Sequence, residues 1–302
     1  MRFFVRSYNY FLKRIKKSSL YIIIVNEIMW YYKFSARKFR KKFFIKNDLK
    51  SSIILKQLED PLLIPIIIIN FNQLYFLKIQ VSNYLNRGFK NVIILDNAST
   101  YQPLLEYYQT IKHSVEIVYL NKNWGHMVFF ENKEIYNKYS KGFFVISDSD
   151  IIPNDNLPDN FLSMMIDVLL DKYDSITKVG WALDIKSIPD TYSNKEKVIN
   201  WEKRFWKTKI DISIREEAYL AEIDTTFALY KPNYNLQDYS PWDFFKAIRI
   251  GGNYTAKHGG WYINSSNLSE EQKFYFENAN SSSSWRLDSK GELNNDFFKK
   301  FY

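Results

Sequence analysis

The feature that most constrains the fold is the run of apolar, mostly β-branched residues at 61–70, which reads Pro-Leu-Leu-Ile-Pro-Ile-Ile-Ile-Ile-Asn. A continuous run without polar alternation is typical of a strand buried on both faces of a parallel sheet. Further strands and intervening helices are predicted in alternation along the chain. The strands cover 91–96, 115–120 and 142–147, and the helices cover 74–85, 103–111 and 127–139. Repeated β-α-β units predict an α/β fold with a doubly wound, mostly parallel sheet.

The composition indicates a folded protein and excludes cysteine-based chemistry. Hydrophobic residues make up 46% of the 302-residue chain and charged residues 25%, which is typical of a folded protein with a substantial core. Cysteine is absent, so disulfides, thiolate metal sites and thiol nucleophiles are excluded. Any metal would be bound by oxygen and imidazole.

The net charge of +9 comes from the N-terminal region. Residues 1–50 hold 14 Lys and Arg and 2 Asp and Glu, whereas residues 51–302 hold 28 and 31. A nucleic-acid-binding domain would carry positive charge on its folded body, so no nucleic-acid partner is expected.

The basic region interleaves cations with Phe, Tyr and Trp. Its apolar run at 20–32 is too short to span a bilayer and contains Asn26 and Glu27. Aromatic anchors beside cations suit a helix that lies in the headgroup layer of an anionic membrane. A helical extension that packs on the core with a solvated basic face explains the same pattern.

Polar residues follow each predicted strand. They are Asn70 and Asn72 after the first, Asp96 and Asn97 after the second, Asn121 and Asn123 after the third, and Asp148 and Asp150 after the fourth. Single turns are often rich in Asn and Asp, but four in succession point to a binding site, because ligands bind at the carboxyl ends of such sheets.

The Asp148-Ser-Asp150 triplet directly follows a buried strand. Two carboxylates there would repel each other unless a cation neutralised them. Mg²⁺ or Mn²⁺ bound to one or two carboxylates and to diphosphate oxygens would do so, and a structural turn is the alternative. Glycine-rich dinucleotide and P-loop motifs are absent from the sequence.

Taken together, these segments resemble a nucleotide-sugar glycosyltransferase of the GT-A fold, close to family 2 and to the bacterial surface-polysaccharide type. The resemblance covers residues 61–264 and includes the segments 223–230 and 247–262. It implies a Rossmann-like fold, an Mn²⁺ or Mg²⁺ ion, a UDP-sugar donor and an inverting reaction.

The resemblance also implies roles for individual residues. Asp96 would accept the uracil N–H, with Asn70 in the same pocket, and Asp148 would lie near the ribose and act as a metal ligand. Asp150 would be the direct metal ligand and His258 would complete its coordination, although an exposed loop histidine is an alternative for His258. The expected contacts to the nucleotide-sugar are Asn70, Asn72, Asp96, Asn97, Asn123, Gly125, Asp148, Arg249 and Trp261.

A sugar-transfer site also needs a general base. The resemblance assigns this role to Asp224, with Glu222 in reserve. A strand-edge acid that bonds to Thr225 or Thr226 is the alternative for Asp224.

The sequence therefore predicts a metal-dependent hexosyl- or N-acetylhexosaminyltransferase that acts on a glycan or lipid-linked acceptor at the inner face of the cytoplasmic membrane. The expected parts are a basic extension (1–60), the GT-A domain (61–264) and a tail packed on it (265–302). Two alternatives stay open: a nucleotidyltransferase that forms a nucleotide-sugar, and a noncatalytic membrane-bound carbohydrate-binding module.

Overall fold

The computed structural model describes residues 50–233, 244–280 and 287–288. Of the basic extension predicted as a membrane tether (1–60), residues 1–49 lie outside the described ranges. Within the described ranges, no helix combines the length and the apolar character that a bilayer crossing requires. A compact unit begins at Ser51.

The alternation of strands and helices follows the prediction closely. The strands are β1 (Ile66–Asn70), β2 (Val92–Asp96), β3 (Glu116–Tyr119), β4 (Phe144–Asp148), β5 (Ile151–Pro153), β6 (Lys178–Trp181), β7 (Ala218–Glu222), β8 (Ala228–Tyr230), β9 (Lys246–Ile250) and β10 (Ala256–His258). The helices are α1 (Ser52–Glu59), α2 (Tyr75–Asn86), α3 (Gln102–Ile111), α4 (Val128–Glu131), α5 (Lys133–Tyr139), α6 (Phe161–Asp171), α7 (Lys195–Glu202) and α8 (Glu270–Asn278).

The main sheet has the strand order β3-β2-β1-β4-β8-β6-β9-β7. Strands β3, β2, β1 and β4 are mutually parallel, and β8 and β7 run antiparallel to their neighbours. Every residue of β1 and β2 is buried, as their unbroken apolar sequences predict. The predicted α/β fold with a mostly parallel sheet is confirmed.

The helix predicted at 127–139 is in fact two helices. The chain breaks at Asn132, whose side-chain oxygen accepts from the backbone N–H groups of Glu134 and Ile135 and so caps α5. Asparagine favours such N-cap positions over helix interiors, because its amide competes for backbone hydrogen bonds. The apolar spacing continues across the break, which is why periodicity alone predicted one helix.

Helix α1 is tied to the sheet by one side chain. Gln57 Nε2 donates to the carbonyl of Phe143 (2.9 Å), and Gln57 Oε1 accepts from the N–H of the same residue (2.7 Å). These bonds satisfy the backbone just before β4.

A small second sheet brings two segments of the predicted site together. Strand β5 begins directly after Asp150 and pairs antiparallel with β10, so that Ile151 lies opposite His258. This register brings the Asp148–Asp150 turn and His258 together, although they are more than a hundred residues apart.

Candidate functional site

A cleft of about 780 Å³ lies at the carboxyl ends of the central strands. It is lined by most of the residues that the sequence predicted for the site. These are Asn70, Asn97, Asn123, Gly125, Asp148, Asp150, Glu222, Asp224, Arg249, His258 and Trp261. The strand ends thus form one common site, as expected for this sheet topology.

Two predicted donor contacts, Asn72 and Asp96, do not line the cleft. Asn72 is buried, has a positive φ of 51°, and accepts through Oδ1 from the N–H groups of Thr100 and Tyr101. Because these N–H groups precede the first turn of α3, Asn72 organises the start of that helix. This geometry does not support direct donor binding by Asn72.

Asp96 has both carboxylate oxygens engaged inside the protein. Oδ1 accepts from the Tyr108 hydroxyl (2.8 Å) and Oδ2 accepts from the N–H of Ser99 (3.0 Å). The Tyr108 oxygen in turn accepts from Asn70 Nδ2 (2.8 Å). Asp96 therefore acts through Tyr108 to orient Asn70, and its expected contact with a base N–H has no support in this geometry.

The loop after β3 is held against the cleft by Asn97. Its Oδ1 accepts from the N–H of Trp124 (3.2 Å) and its Nδ2 donates to the carbonyl of Gly125 (3.2 Å). Gly125 has φ of 80° and donates its N–H to Asn123 Oδ1 (2.9 Å). Glycine suits this left-handed position because it has no Cβ.

Asp150 and His258 form the most informative pair in the cleft. Asp150 Oδ2 lies 3.2 Å from His258 Nδ1, with 10% and 20% of their side chains exposed. Despite this distance the geometry is not that of a hydrogen bond, since Nδ1 has no hydrogen-bond partner among the described residues. The His258 ring stacks on Trp261 with centroids 4.6 Å apart and an interplanar angle of 8°.

The loop after His258 keeps this pair accessible. The N–H of Gly260 donates to Asp150 Oδ2 (3.2 Å). A Cβ at Gly260 would lie 3.3 Å from Asp150 Oδ2 and 3.4 Å from the His258 ring. Within the described ranges, no group of three or more His, Asp or Glu side chains is arranged to hold a metal. Protein ligands beyond Asp150 and His258, including the predicted ligand Asp148, are thus not assembled around the pair.

The pKa values of Asp148 and Asp224 are shifted in opposite directions. Burial raises the pKa of Asp148 well above its ordinary value, and the nearby carboxylates of Asp224 and Asp150 add to this rise. Its Oδ2 accepts from the Thr225 hydroxyl (3.1 Å). A carboxyl surrounded by other acids favours the neutral form.

Asp224 is exposed to solvent in the cleft, and its pKa is lowered. Desolvation by the surrounding protein acts to raise this pKa, but Arg249 and the N–H of Thr226 outweigh it. His126 and Lys178 act in the same direction as Arg249. The bond from the Thr226 N–H to Asp224 Oδ1 (3.3 Å) is the local bond expected of a strand-edge acid. Because this bond uses only Oδ1, the other carboxylate oxygen, Oδ2, is available to a ligand in the cleft.

Arg249 is engaged in a buried ion pair. Its Nη1 lies 3.0 Å from Glu202 Oε2, with only 4% and 5% of the two side chains exposed. Nε donates to the carbonyl of Glu222 (2.8 Å), and the guanidinium lies over the Phe205 ring at 4.0 Å. Glu202 therefore already balances the charge of Arg249, which the sequence predicts as a contact to the nucleotide-sugar.

Two walls of the cleft come from segments that lie outside the predicted site residues. Trp201, Glu202 and Phe205, from α7 and the 3₁₀ turn after it, form one wall, and residues of α8 form the other. Glu271 of α8 accepts through its carboxylate from the N–H groups at the start of α2. The clustering of aromatic residues at 201–206 is the only sequence signal for the first wall.

The chain was compared with known proteins. No family model matches the chain, and no curated protein matches its sequence. Among solved structures, the chain is similar to the mannosyltransferase PcManGT from Pyrobaculum calidifontis, determined in complex with GDP-Man and Mn²⁺. The two sequences are 11% identical, the match covers 83% of this chain and 71% of that chain, and the TM-score is 0.38. It is also similar to S. aureus TarS residues 1–349, with 13% identity, coverage of 76% and 75%, and a TM-score of 0.37. At these scores the likeness says nothing about the activity of this chain.

Proposed function

We propose that this chain is a glycosyltransferase that moves a sugar from a UDP-sugar to a hydroxyl group of a glycan or lipid-linked acceptor, with the help of Mn²⁺ or Mg²⁺. One observation carries the proposal. The Asp150–His258 pair and the ionised carboxylate of Asp224 line the same cleft at the carboxyl ends of the sheet. A cation ligand pair and a base in one cleft are what this reaction requires.

The Asp150–His258 pair fits a divalent cation. Ligands about 2.0–2.1 Å from an octahedral ion lie about 3 Å apart when they are adjacent, and these two atoms are 3.2 Å apart. Because Nδ1 has no hydrogen-bond partner among the described residues, its lone pair is available when the ring is neutral. Two protein ligands leave positions for diphosphate oxygens, as in sites where Mg²⁺ is shared with a substrate. When bound, the ion would stabilise the negative charge of the leaving diphosphate.

The acceptor side is assigned to Asp224. Its carboxylate would take the proton of the acceptor hydroxyl while the hydroxyl oxygen forms a bond to the anomeric carbon. The bond from that carbon to the diphosphate oxygen breaks, and its electron pair leaves with UDP. A single displacement of this kind inverts the anomeric configuration. Asp224 is preferred over Glu222 because several neighbouring groups stabilise its charged form.

The other predicted residues have supporting roles in this proposal. Asn70, Asn97 and the Asn123–Gly125 loop form the donor side of the cleft. Trp261 is buried and uses one ring face to fix the plane of His258, so we assign it this role in place of stacking on the sugar.

We further propose that the chain acts at the inner face of the membrane. Support comes from the sequence of residues 1–50, which carries 14 of the 42 Lys and Arg together with many aromatic residues. Each cation near an anionic surface contributes about 1 kcal/mol to binding. Replacement of Lys13, Arg14, Lys16 and Lys17 by Gln should reduce flotation of the full chain with anionic vesicles, and unchanged flotation would count against the tether.

The test of the transferase is release of UDP from a panel of UDP-sugars in the presence of Mn²⁺, with GDP-sugars as the comparison. NMR of the product would then identify the sugar, the linkage and the anomeric configuration. Asp224→Asn should slow transfer by at least about 10²-fold, whereas Asp190→Asn, at an exposed acid paired with Lys195, should not. Turnover of no UDP-sugar, or full activity of Asp224→Asn, would refute the proposal.

A further inference from the structure

A buried lysine lies directly behind the proposed base. Lys178 is in β6 and is 0% exposed. Its Nζ donates to the backbone carbonyl of Asp224 (3.2 Å) and to the hydroxyl of Tyr230 (3.2 Å). The Tyr230 hydroxyl donates to the same Asp224 carbonyl (3.0 Å). Two donors from neighbouring strands therefore converge on one carbonyl in the turn between β7 and β8.

The environment of Lys178 is otherwise aromatic. Nζ lies 4.8 Å from the ring centroid of Tyr230 and 4.6 Å from that of Phe244. In the described part of the chain, no carboxylate lies within ion-pair distance of Nζ. The charged groups that act on it are Asp224, from the β7–β8 turn, and Arg249, from β9.

Packing alone does not explain a lysine at this position. A buried ammonium loses its hydration, and an apolar side chain of similar volume would avoid that loss. Burial lowers the pKa of Lys178 to about 7, in spite of the opposing effect of the Asp224 charge. Below that pH the side chain is a cation enclosed beneath the cleft. At this position the ammonium donates a hydrogen bond to the backbone carbonyl of Asp224, the proposed base.

We propose that Lys178 is a positioning residue for Asp224: it fixes the turn at Ile223–Thr226 through the Asp224 carbonyl, and its positive charge favours the ionised form of the Asp224 carboxylate. This inference rests on the proposed function, because that function makes Asp224 the base. Four other groups act on the same carboxylate and set the background against which Lys178 is tested. They are Arg249 from β9, His126 from the loop after β3, the N–H of Thr226, and Asp148 from β4.

The test compares substitutions at Lys178 with a matched one at Lys231. Lys231 is also a buried lysine that donates to a carbonyl, but that carbonyl belongs to Tyr173 and lies outside the turn between β7 and β8. Lys178→Met removes the charge and the donor, Lys178→Gln removes only the charge, and Lys178→Arg keeps both. Lys231→Met is the control.

The first readout needs no enzymatic activity. Carbon-13 NMR of aspartate-labelled protein would follow the titration of Asp224, assigned by its loss in Asp224→Asn. Lys178→Met and Lys178→Gln should raise the Asp224 pKa measurably, because each removes a positive charge that lowers it. Lys178→Arg and Lys231→Met should leave it near the wild-type value.

The second readout is kinetic. The acid limb of the kcat profile should move to higher pH by the same amount in Lys178→Met, while KM for the donor stays unchanged. If Lys178→Met or Lys178→Gln folds and the Asp224 pKa is unchanged, the inference is wrong, whatever the activity. If the pKa moves but no wild-type sugar transfer is found, the proposed function fails and the coupling of Lys178 to Asp224 stands.

Discussion

Glu202→Gln is expected to destabilise the protein strongly, because Glu202 and Arg249 form a buried ion pair. Their charged atoms are 3.0 Å apart and the two side chains are almost fully buried. The substitution removes the paired counter-charge of a buried guanidinium, whose other partners are the Glu222 carbonyl, the Phe205 ring and the charge of the Asp224 carboxylate. Removing one member of a buried pair costs about 3–5 kcal/mol. Because the Gln oxygen can still accept from Nη1, we expect about 3 kcal/mol.

Urea unfolding measures this cost directly. Glu202→Gln should lower the midpoint with an unchanged slope, and the melting temperature should fall by about 6–12 °C. Glu217→Gln is the control, because Glu217 forms an exposed pair with Lys209 and exposed pairs contribute little. If the two variants unfold at the same urea concentration, the buried pair does not have the energetic role assigned to it.

Three further predictions concern the cleft and its surroundings. Asp224→Asn should lower kcat by about 10²–10⁴-fold while Mn²⁺-dependent binding of UDP, followed by thermal shift, stays intact; loss of both would show that the residue is structural. Glu271→Ala removes the acceptor for the N–H groups of Leu74 and Tyr75, so thermal unfolding should show a loss of about 1 kcal/mol that Glu270→Ala does not show. The pKa of Lys178 is about 7 in the folded protein and 10.5 ordinarily. Between these values the unfolded chain binds a proton at Lys178 that the folded protein does not bind. The contribution of Lys178 to the free energy of unfolding should therefore rise with pH from about 7 to 10. Denaturation across that range should show a flatter profile for Lys178→Met, and an identical profile would contradict the burial of the ammonium.

The sequence predicts the sheet well because its signal is local. The apolar runs that become β1 and β2 are buried along their whole length, and the polar residues after them reach one rim because parallel strands end on the same side. Local patterns also mislead. Asp96 ends β2 as Asn70 ends β1, and Asn72 follows Asn70 by two residues, but of these three only Asn70 lines the cleft.

The missed residues depend on contacts between distant segments. Glu271 bonds to Leu74 across 197 residues of sequence, and Lys178 reaches the Asp224 carbonyl across 46. No spacing or periodicity marks such pairs. Similarly, the pairing of Asp150 with His258 follows from the register of β5 and β10, which neither strand specifies alone.

The most direct test of the central claim is a thermal-shift titration with UDP, with and without MnCl₂. UDP is expected to stabilise the wild-type protein mainly when Mn²⁺ is present, by about 2.7 kcal/mol at a UDP concentration of 100 times Kd. Asp150→Asn should abolish this stabilisation and Asp190→Asn should preserve it. Equal stabilisation by UDP without Mn²⁺, or an undiminished Mn²⁺ effect in Asp150→Asn, would contradict a metal-bound diphosphate at the Asp150–His258 pair.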